Sequence, residues 1–252
     1  MRLLIKLESL RDQLYQPDYH HSLQGFIYSL LRDTSFHYLH DKTGYKFYCF
    51  SNIFPPDNVI RKGDIKNLLV SSPNADFIRT LYEKIEDLIM TNAKKKIGNM
   101  EFALIGATVV RHLKNVGNMK LSSGTPIIIR INREKYTRYG IRPQKPYHYL
   151  YWRSEYPLDL FITQLEDNLR KKYHDYFKLD ASNEPIFQGM TFLKEVSNKL
   201  RIGGREYTVI GSLWNFEFYD MDSELQKLIK FGMDTGFGEL NSMGFGFMNE
   251  VI

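Results

Sequence analysis

The sequence predicts an α+β fold built from two tandem βαββαβ units, on three observations. Apolar residues alternate or recur at helical spacing in the order strand, helix, strand, strand, helix, strand over residues 1–110. A second run of such patterns begins after Gly124, although no residue-level repeat links the halves. A chain of 252 residues, 43 % of them hydrophobic, is longer than one such unit needs and has enough apolar material for two cores.

Met1–Leu7 alternates, with Leu3, Ile5 and Leu7 on one face of a strand. From His20 to Arg32 the residues Leu23, Phe26, Ile27, Leu30 and Leu31 fall three and four apart, which puts them on one stripe of a helix. Tyr28 lies more than a right angle from that stripe and should project away from the core. A loop across Phe36–Gly44 leads to a strand over Phe47–Ile53, stopped by Pro55 and Pro56. Ile65–Val70 reads as the next strand. Asn74–Thr91 reads as a helix burying Phe77, Ile78, Leu81, Ile85, Leu88 and Ile89, and Lys96–Val110 as strand. This is the order of a ferredoxin-like unit.

Beyond Gly124 the pattern predicts a strand over Thr125–Ile131. Pro157 then opens a helix to about Phe177, with Leu158, Phe161, Ile162, Leu165 and Leu169 inside. Ile186–Leu200 and Tyr207–Tyr219 are strand-like. A helix from Ser223 to Phe231 is expected to end at Gly232 as its cap, and Phe247–Ile252 closes the chain as a short strand. The expected division is residues 1–122 and 123–252.

The single cysteine, Cys49, rules out an intramolecular disulfide or a site with two thiolate ligands, and it fits a reducing compartment. No apolar run approaches the roughly 20 residues of a membrane span, and the alternating start does not read as a signal peptide, so a soluble cytoplasmic protein is expected. The net charge of +5 is very unevenly spread. Arg111, Lys114, Lys120, Arg130, Arg133, Lys135, Arg138, Arg142, Lys145 and Arg153 face one acid, Glu134, so this stretch carries +9 and the rest of the chain −4. Tyr136, Tyr139, Tyr147, Tyr149, Tyr151 and Trp152 interleave with the cations, as where phosphates meet cations and bases stack on rings. Single-stranded or irregular RNA suits the pattern better than duplex DNA, because the Pro and Gly in the segment disfavour a groove-reading helix. An anionic membrane surface or an acidic protein are the other takers.

Near the end, Gly236, Gly238, Gly244 and Gly246 fall within eleven positions, separated mostly by apolar residues. This is neither a Walker loop, which needs Gly-Lys-Ser/Thr opening a helix, nor a dinucleotide fingerprint, which needs a strand before and a helix after. Glycines without a Cβ let the backbone approach a helix or a phosphate closely.

With the N-terminal strand Met1-Arg-Leu-Leu-Ile-Lys-Leu7 and the helix segment Leu23-Gln-Gly-Phe-Ile-Tyr28, this glycine-rich loop resembles the CRISPR repeat-processing endoribonucleases of the repeat-associated mysterious protein superfamily. The resemblance covers residues 1–54 and about the last 30; the middle is similar only in element order. It implies a pair of ferredoxin-like domains that bind the repeat RNA of a CRISPR precursor transcript and cut it without a metal ion or other cofactor, giving mature guide RNAs. Many members place a histidine shortly after the first helix, a tyrosine within it and a lysine beyond. The run Tyr38-Leu-His40-Asp-Lys-Thr-Gly-Tyr-Lys46 matches, so Tyr28, His40 and Lys46 map onto the catalytic set. His37 and Lys42 compete with His40 and Lys46. The implied RNA contacts are Arg130, Arg133, Lys135, Arg138, Arg142 and Lys145 with the four loop glycines. Implied partners are precursor and guide RNA and other proteins of a CRISPR effector complex, to a monomer or homodimer with no membrane partner. The glycine loop also occurs in members that bind RNA without cutting it, so a non-catalytic RNA-binding subunit is the alternative.

Metal-free RNA cleavage needs a base for the 2′-OH, an acid for the departing 5′-oxygen and a cation for charge building on phosphorus. Histidine can fill either proton role near neutral pH, which assigns His40, and Lys46 would stabilise the phosphorane. Tyr28 would orient the 2′-OH or donate to a non-bridging oxygen, and the expected ends are 2′,3′-cyclic phosphate and 5′-OH. His20 and His21 are expected to begin the helix or touch RNA. His112, His148 and His174 are expected as surface or RNA-contact residues.

Overall fold

The computed structural model describes residues 1–111, 117–143, 145 and 147–251. Its first half runs β1 (Arg2–Ser9), β2 (Gln13–Leu14), α1 (His20–Leu31), β3 (Cys49–Phe50), β4 (Val59–Ile60), β5 (Ile65–Ser71), α2 (Ala75–Met90), β6 (Lys94–Ile97) and β7 (Met100–Val110). β3, β5, β1, β7 and β6 form one sheet in that order, while β2 pairs with β4 beside it. All its pairings are antiparallel: Leu3 faces Val70 and Val109, and Ile5 faces Leu68 and Ala107. Leu3, Ile5 and Leu7 are buried with Leu23, Ile27, Phe77, Ile78 and Leu81, so the apolar stripes of both helices meet one face of the sheet. Asn74 caps α2, its Oδ1 accepting from the backbone N–H groups of Asp76 and Phe77.

The second half runs β8 (Met119–Ser123), β9 (Arg130–Asn132), β10 (Tyr149–Tyr151), α3 (Leu158–Phe177), β11 (Gly189–Ile202), β12 (Arg205–Phe218), α4 (Ser223–Thr235) and β13 (Met248–Val251). Its sheet has the order β11, β12, β8, β13, and β9 pairs with β10 as a separate ribbon. Leaving out β6, the four strands flanking the two helices of each half follow the same spatial order, second, third, first, fourth. This order is consistent with the expected βαββαβ plan. The second core gathers Phe161, Leu165 and Leu169 of α3 with Trp214, Phe216 and Ile229.

Several expected elements differ. β8 pairs with both β12 and β13, so the second sheet opens before Gly124, and the expected division after residue 122 cuts through this strand. Only Met119 and Leu121 alternate there as buried residues, too short a pattern to announce a strand. The expected Thr125–Ile131 strand contributes only its last two residues to β9 and bridges from Ile127 and Ile128. Phe47–Ile53 contracts to Cys49–Phe50, because Phe47 takes a left-handed φ of 53°. Lys96–Val110 is a hairpin turning at Gly98 and Asn99. Finally, α4 runs through Gly232 to Thr235. A Cβ at Gly232 would stand 2.5 Å from the Phe237 ring and 3.1 Å from Leu169, so this glycine serves close packing inside the helix, and Gly236 (φ 86°) follows its end.

Candidate active site

Burial of the opposite side of α1 turns Tyr28 toward the chain that follows the helix. That chain reverses at once: Thr34 Oγ1 donates to Leu31 O at 2.8 Å, and buried Phe36 and Leu39 pin the short 3₁₀ turn His37–Leu39. His40 caps this turn with its side chain 69 % exposed, its Nδ1 2.6 Å from Asp41 Oδ1. The loop before β3 then returns Lys46 to the same place. Lys46 Nζ donates to Tyr28 Oη at 2.6 Å and to His40 O at 3.2 Å, and the Tyr28 and His40 rings meet edge to face at 5.3 Å. The three residues matched by sequence thus converge. Their competitors do not: His37 Nδ1 turns back to Thr34 O at 3.1 Å, and Lys42 Nζ lies 4.9 Å from the Phe47 ring centre.

Lys46 borders a cleft of about 440 Å³ between the halves, together with Tyr45, Arg130, Asn168, Lys172 and the turn of residues 238–242. The Arg130 guanidinium is held there by Glu239, with Nη2 2.5 Å from Oε2, and lies 5.1 Å from the Tyr149 ring centre. Of the other expected RNA contacts, Arg133, Arg138, Arg142 and Lys145 are exposed and Lys135 is half-buried. Arg138 rests on the Tyr139 ring at 5.4 Å. Lys120 is occupied by Glu217 at 2.9 Å. Lys114 and His112 lie outside the described residues. His148 is exposed, and His174 Nδ1 lies 2.8 Å from Asp180. The expected interleaving of rings is thinner than the sequence suggests. Tyr136 and Trp152 are buried, and Trp152 packs against Phe161 and Trp214 while its Nε1 donates to Pro157 O, leaving Tyr147 and Tyr149 exposed and Tyr139 and Tyr151 half-buried.

The glycine-rich loop is interior. All four glycines are buried with positive φ, and a Cβ would meet Asn241 at Gly236, Ile128 O at Gly238, the Phe50 ring at Gly244 and Phe237 O at Gly246, the last at 1.9 Å. Of the four, only Gly238 borders the cleft. The loop also bonds the first half: Met243 O lies 2.9 Å from His20 Nδ1, Ser242 O accepts from Gln24, and Phe245 stacks on the His20 ring at 4.9 Å. Burial pushes the His20 pKa down. Beneath the loop, Lys172 is 2 % exposed and donates to Gly236 O, Gly238 O and Asn241 Oδ1 at 2.6, 2.8 and 2.9 Å. Burial lowers its pKa to about 7, against opposing help from Cys49 and Glu239. Asn241 Nδ2 ties the two limbs by donating to Phe237 O and Phe245 O.

Sequence reasoning passed over Lys172, Glu239 and Asn241, while His20, expected to begin the helix or touch RNA, does begin α1 with its ring buried against the glycine-rich loop. Helical spacing carried a signal for the first: Phe161, Leu165, Leu169 and Lys172 share one stripe of α3, so the third cation of Arg170-Lys171-Lys172 had to be inside.

The chain is similar in sequence and in fold to known proteins. Residues 112–250 match the family model for the C-terminal part of the CRISPR associated protein Cas6. The chain is 34 % identical to CRISPR-associated endoribonuclease Cas6 2 of Methanocaldococcus jannaschii, with 100 % of both chains covered. It is 29 % identical to CRISPR-associated endoribonuclease Cas6 of Haloferax mediterranei, covering 100 % of this chain and 94 % of that one. Among solved structures, its fold is similar to that of "An RAMP protein binding different RNA substrates", with a TM-score of 0.77 at 20 % identity over 100 % of both chains. A Cas6-related protein from Pyrococcus furiosus is similar at a TM-score of 0.75 and 23 % identity, covering 100 % and 98 %.

Proposed function

The chain belongs to the Cas6 family, and from that membership we propose that it is a metal-independent endoribonuclease that cuts CRISPR repeat RNA within the precursor transcript. Both halves are read as ferredoxin-like units, with the division ahead of β8. The observation that carries the mechanism is the convergence of Lys46 Nζ, Tyr28 Oη and the His40 ring, one polar cluster at the edge of the cleft. In this reading Asp41 holds a proton on His40 Nδ1 and leaves Nε2 to take the proton of the ribose 2′-OH. The 2′-oxygen attacks the adjacent phosphorus, the bond to the 5′-oxygen breaks, and the imidazolium returns the proton to that leaving oxygen. Lys46 stabilises the charge on the non-bridging oxygens, and Tyr28, bonded to Lys46, orients the attacking ribose.

The RNA is held by Arg133, Lys135, Arg138, Arg142 and Lys145, with Arg130 at the cleft wall. Gly238 stands in that wall, and the buried glycines at 236, 244 and 246 pack the loop behind it. Incubation with repeat RNA in EDTA, beside a copy carrying a 2′-deoxy nucleotide at the scissile position, tests the reading. Cutting of the all-ribose RNA alone supports it; binding without cutting would make the chain a non-catalytic RNA-binding subunit.

A further inference from the structure

Next to the Lys46 cleft lies a second pocket of about 330 Å³, within the size range of small-ligand sites. Its walls are almost wholly polar: Tyr45, Arg130, Asn132, Gln164, Asp167, Asn168, Lys171 and Glu239. Tyr45, Arg130, Asn168 and Glu239 also border the larger cleft, so the two openings are continuous, and Tyr45 directly precedes Lys46 in the chain. Three of the eight are carboxamides. Gln164 and Asn168 stand one turn apart on α3, and each leaves a buried atom, Nε2 of Gln164 and Oδ1 of Asn168, without a hydrogen-bond partner. A buried unpaired donor beside a buried unpaired acceptor costs the free protein stability, and such atoms in a native fold call for an explanation.

We infer that this pocket receives one unpaired nucleobase of the bound RNA, read by the carboxamides of Gln164 and Asn168. Each carboxamide carries a donor and an acceptor of its own, so amide side chains are suited to reading the edge of a base. Half-buried Tyr45 offers a ring for stacking, and Arg130 stands where the nucleotide's phosphate would pass. The position beside Lys46 places the base next to the scissile phosphate, so the pocket selects which linkage is cut. A site that hydrogen-bonds the edge of one base rejects ligands that leave its polar groups unpaired. The inference rests on the reading of the chain as an RNA-binding nuclease.

The test is a cycle measured on affinity, using repeat RNA from the host's own CRISPR array with a 2′-deoxy nucleotide at the scissile position. Single abasic nucleotides are walked along that RNA. One abasic position adjoining the scissile phosphate should weaken wild-type binding about tenfold. The double variant Gln164→Leu, Asn168→Leu should weaken binding of intact RNA by a similar factor and bind the abasic RNA no worse than wild type does. Its melting temperature should not fall, because neither amide atom has a partner to lose. Independent losses, wild-type affinity for intact RNA, or a lowered melting temperature with independent losses would each overturn the pocket. All-ribose RNA bound but uncut would fail the nuclease reading and leave the pocket standing. RNA cut normally with independent losses does the reverse, and RNA neither bound nor cut removes both.

Discussion

Two lysine-centred clusters border the same cleft and are built in opposite ways. Around Lys46, the first half leaves groups half satisfied: His40 is mostly exposed, and its ring bonds the neighbouring, exposed Asp41. Around Lys172, the second half satisfies the lysine fully: the ammonium meets three oxygens, and Asn241 and the four glycines are packed without slack. Groups that must exchange partners with a substrate are held by the backbone beneath them, whereas groups that hold two halves together are held by each other. The more conspicuous motif in the sequence is the second, and it is the architectural one.

The largest effect should come from breaking the saturated cluster. Gly246→Ala places a Cβ 1.9 Å from Phe237 O at a φ of 72°, and thermal unfolding should show a loss of about 4 kcal/mol or failure to accumulate folded protein. Breaking the open cluster should do the reverse. His40→Ala is expected to slow cleavage by about 10²-fold or more with RNA affinity within a few-fold and an unchanged melting temperature. Cutting at near wild-type rate would remove His40 from the mechanism.

Lys172 sharpens the contrast through pH. Its folded pKa of about 7 lies below its ordinary value of 10.5, so between these values the unfolded chain binds more protons and stability rises with pH. Denaturant titrations from pH 7 to 9 should show this rise in wild type, at most about 1.4 kcal/mol per pH unit, and a flatter profile in Lys172→Met. An equal slope in both proteins would place the titration elsewhere. A smaller effect is expected on the exposed cations. Charge reversal at Arg133 and Arg138 should weaken RNA binding about tenfold and reduce its salt dependence, leaving single-turnover cleavage at saturation unchanged.

Part of this contrast was legible in the sequence. The stripe of α1 placed Tyr28 away from the apolar face of the helix, but Tyr28, His40 and Lys46 were singled out as a set by the family resemblance, since spacing alone leaves His37 and Lys42 as rivals. What stayed hidden depends on contacts between distant segments. Nothing local distinguishes Trp152, buried against Phe161, from the exposed tyrosines beside it, or tells that Gly232 faces Phe237 from within a helix. β8 is invisible because two neighbouring strands, β12 and β13, supply the pairing that its own few apolar residues do not advertise. Lys172 is a different case: its charge suggests a solvent-facing residue, but its helical phase points inward with Leu165 and Leu169.

The central claim is that the open cluster performs 2′-OH chemistry. Its most direct test is the identity of the ends left on the RNA after cleavage in EDTA. The account predicts a 5′-OH fragment that polynucleotide kinase labels without prior phosphatase treatment, and a partner fragment ending in 2′,3′-cyclic phosphate. Fragments with 5′-phosphate and 3′-OH ends, or cleavage that EDTA abolishes, would contradict it.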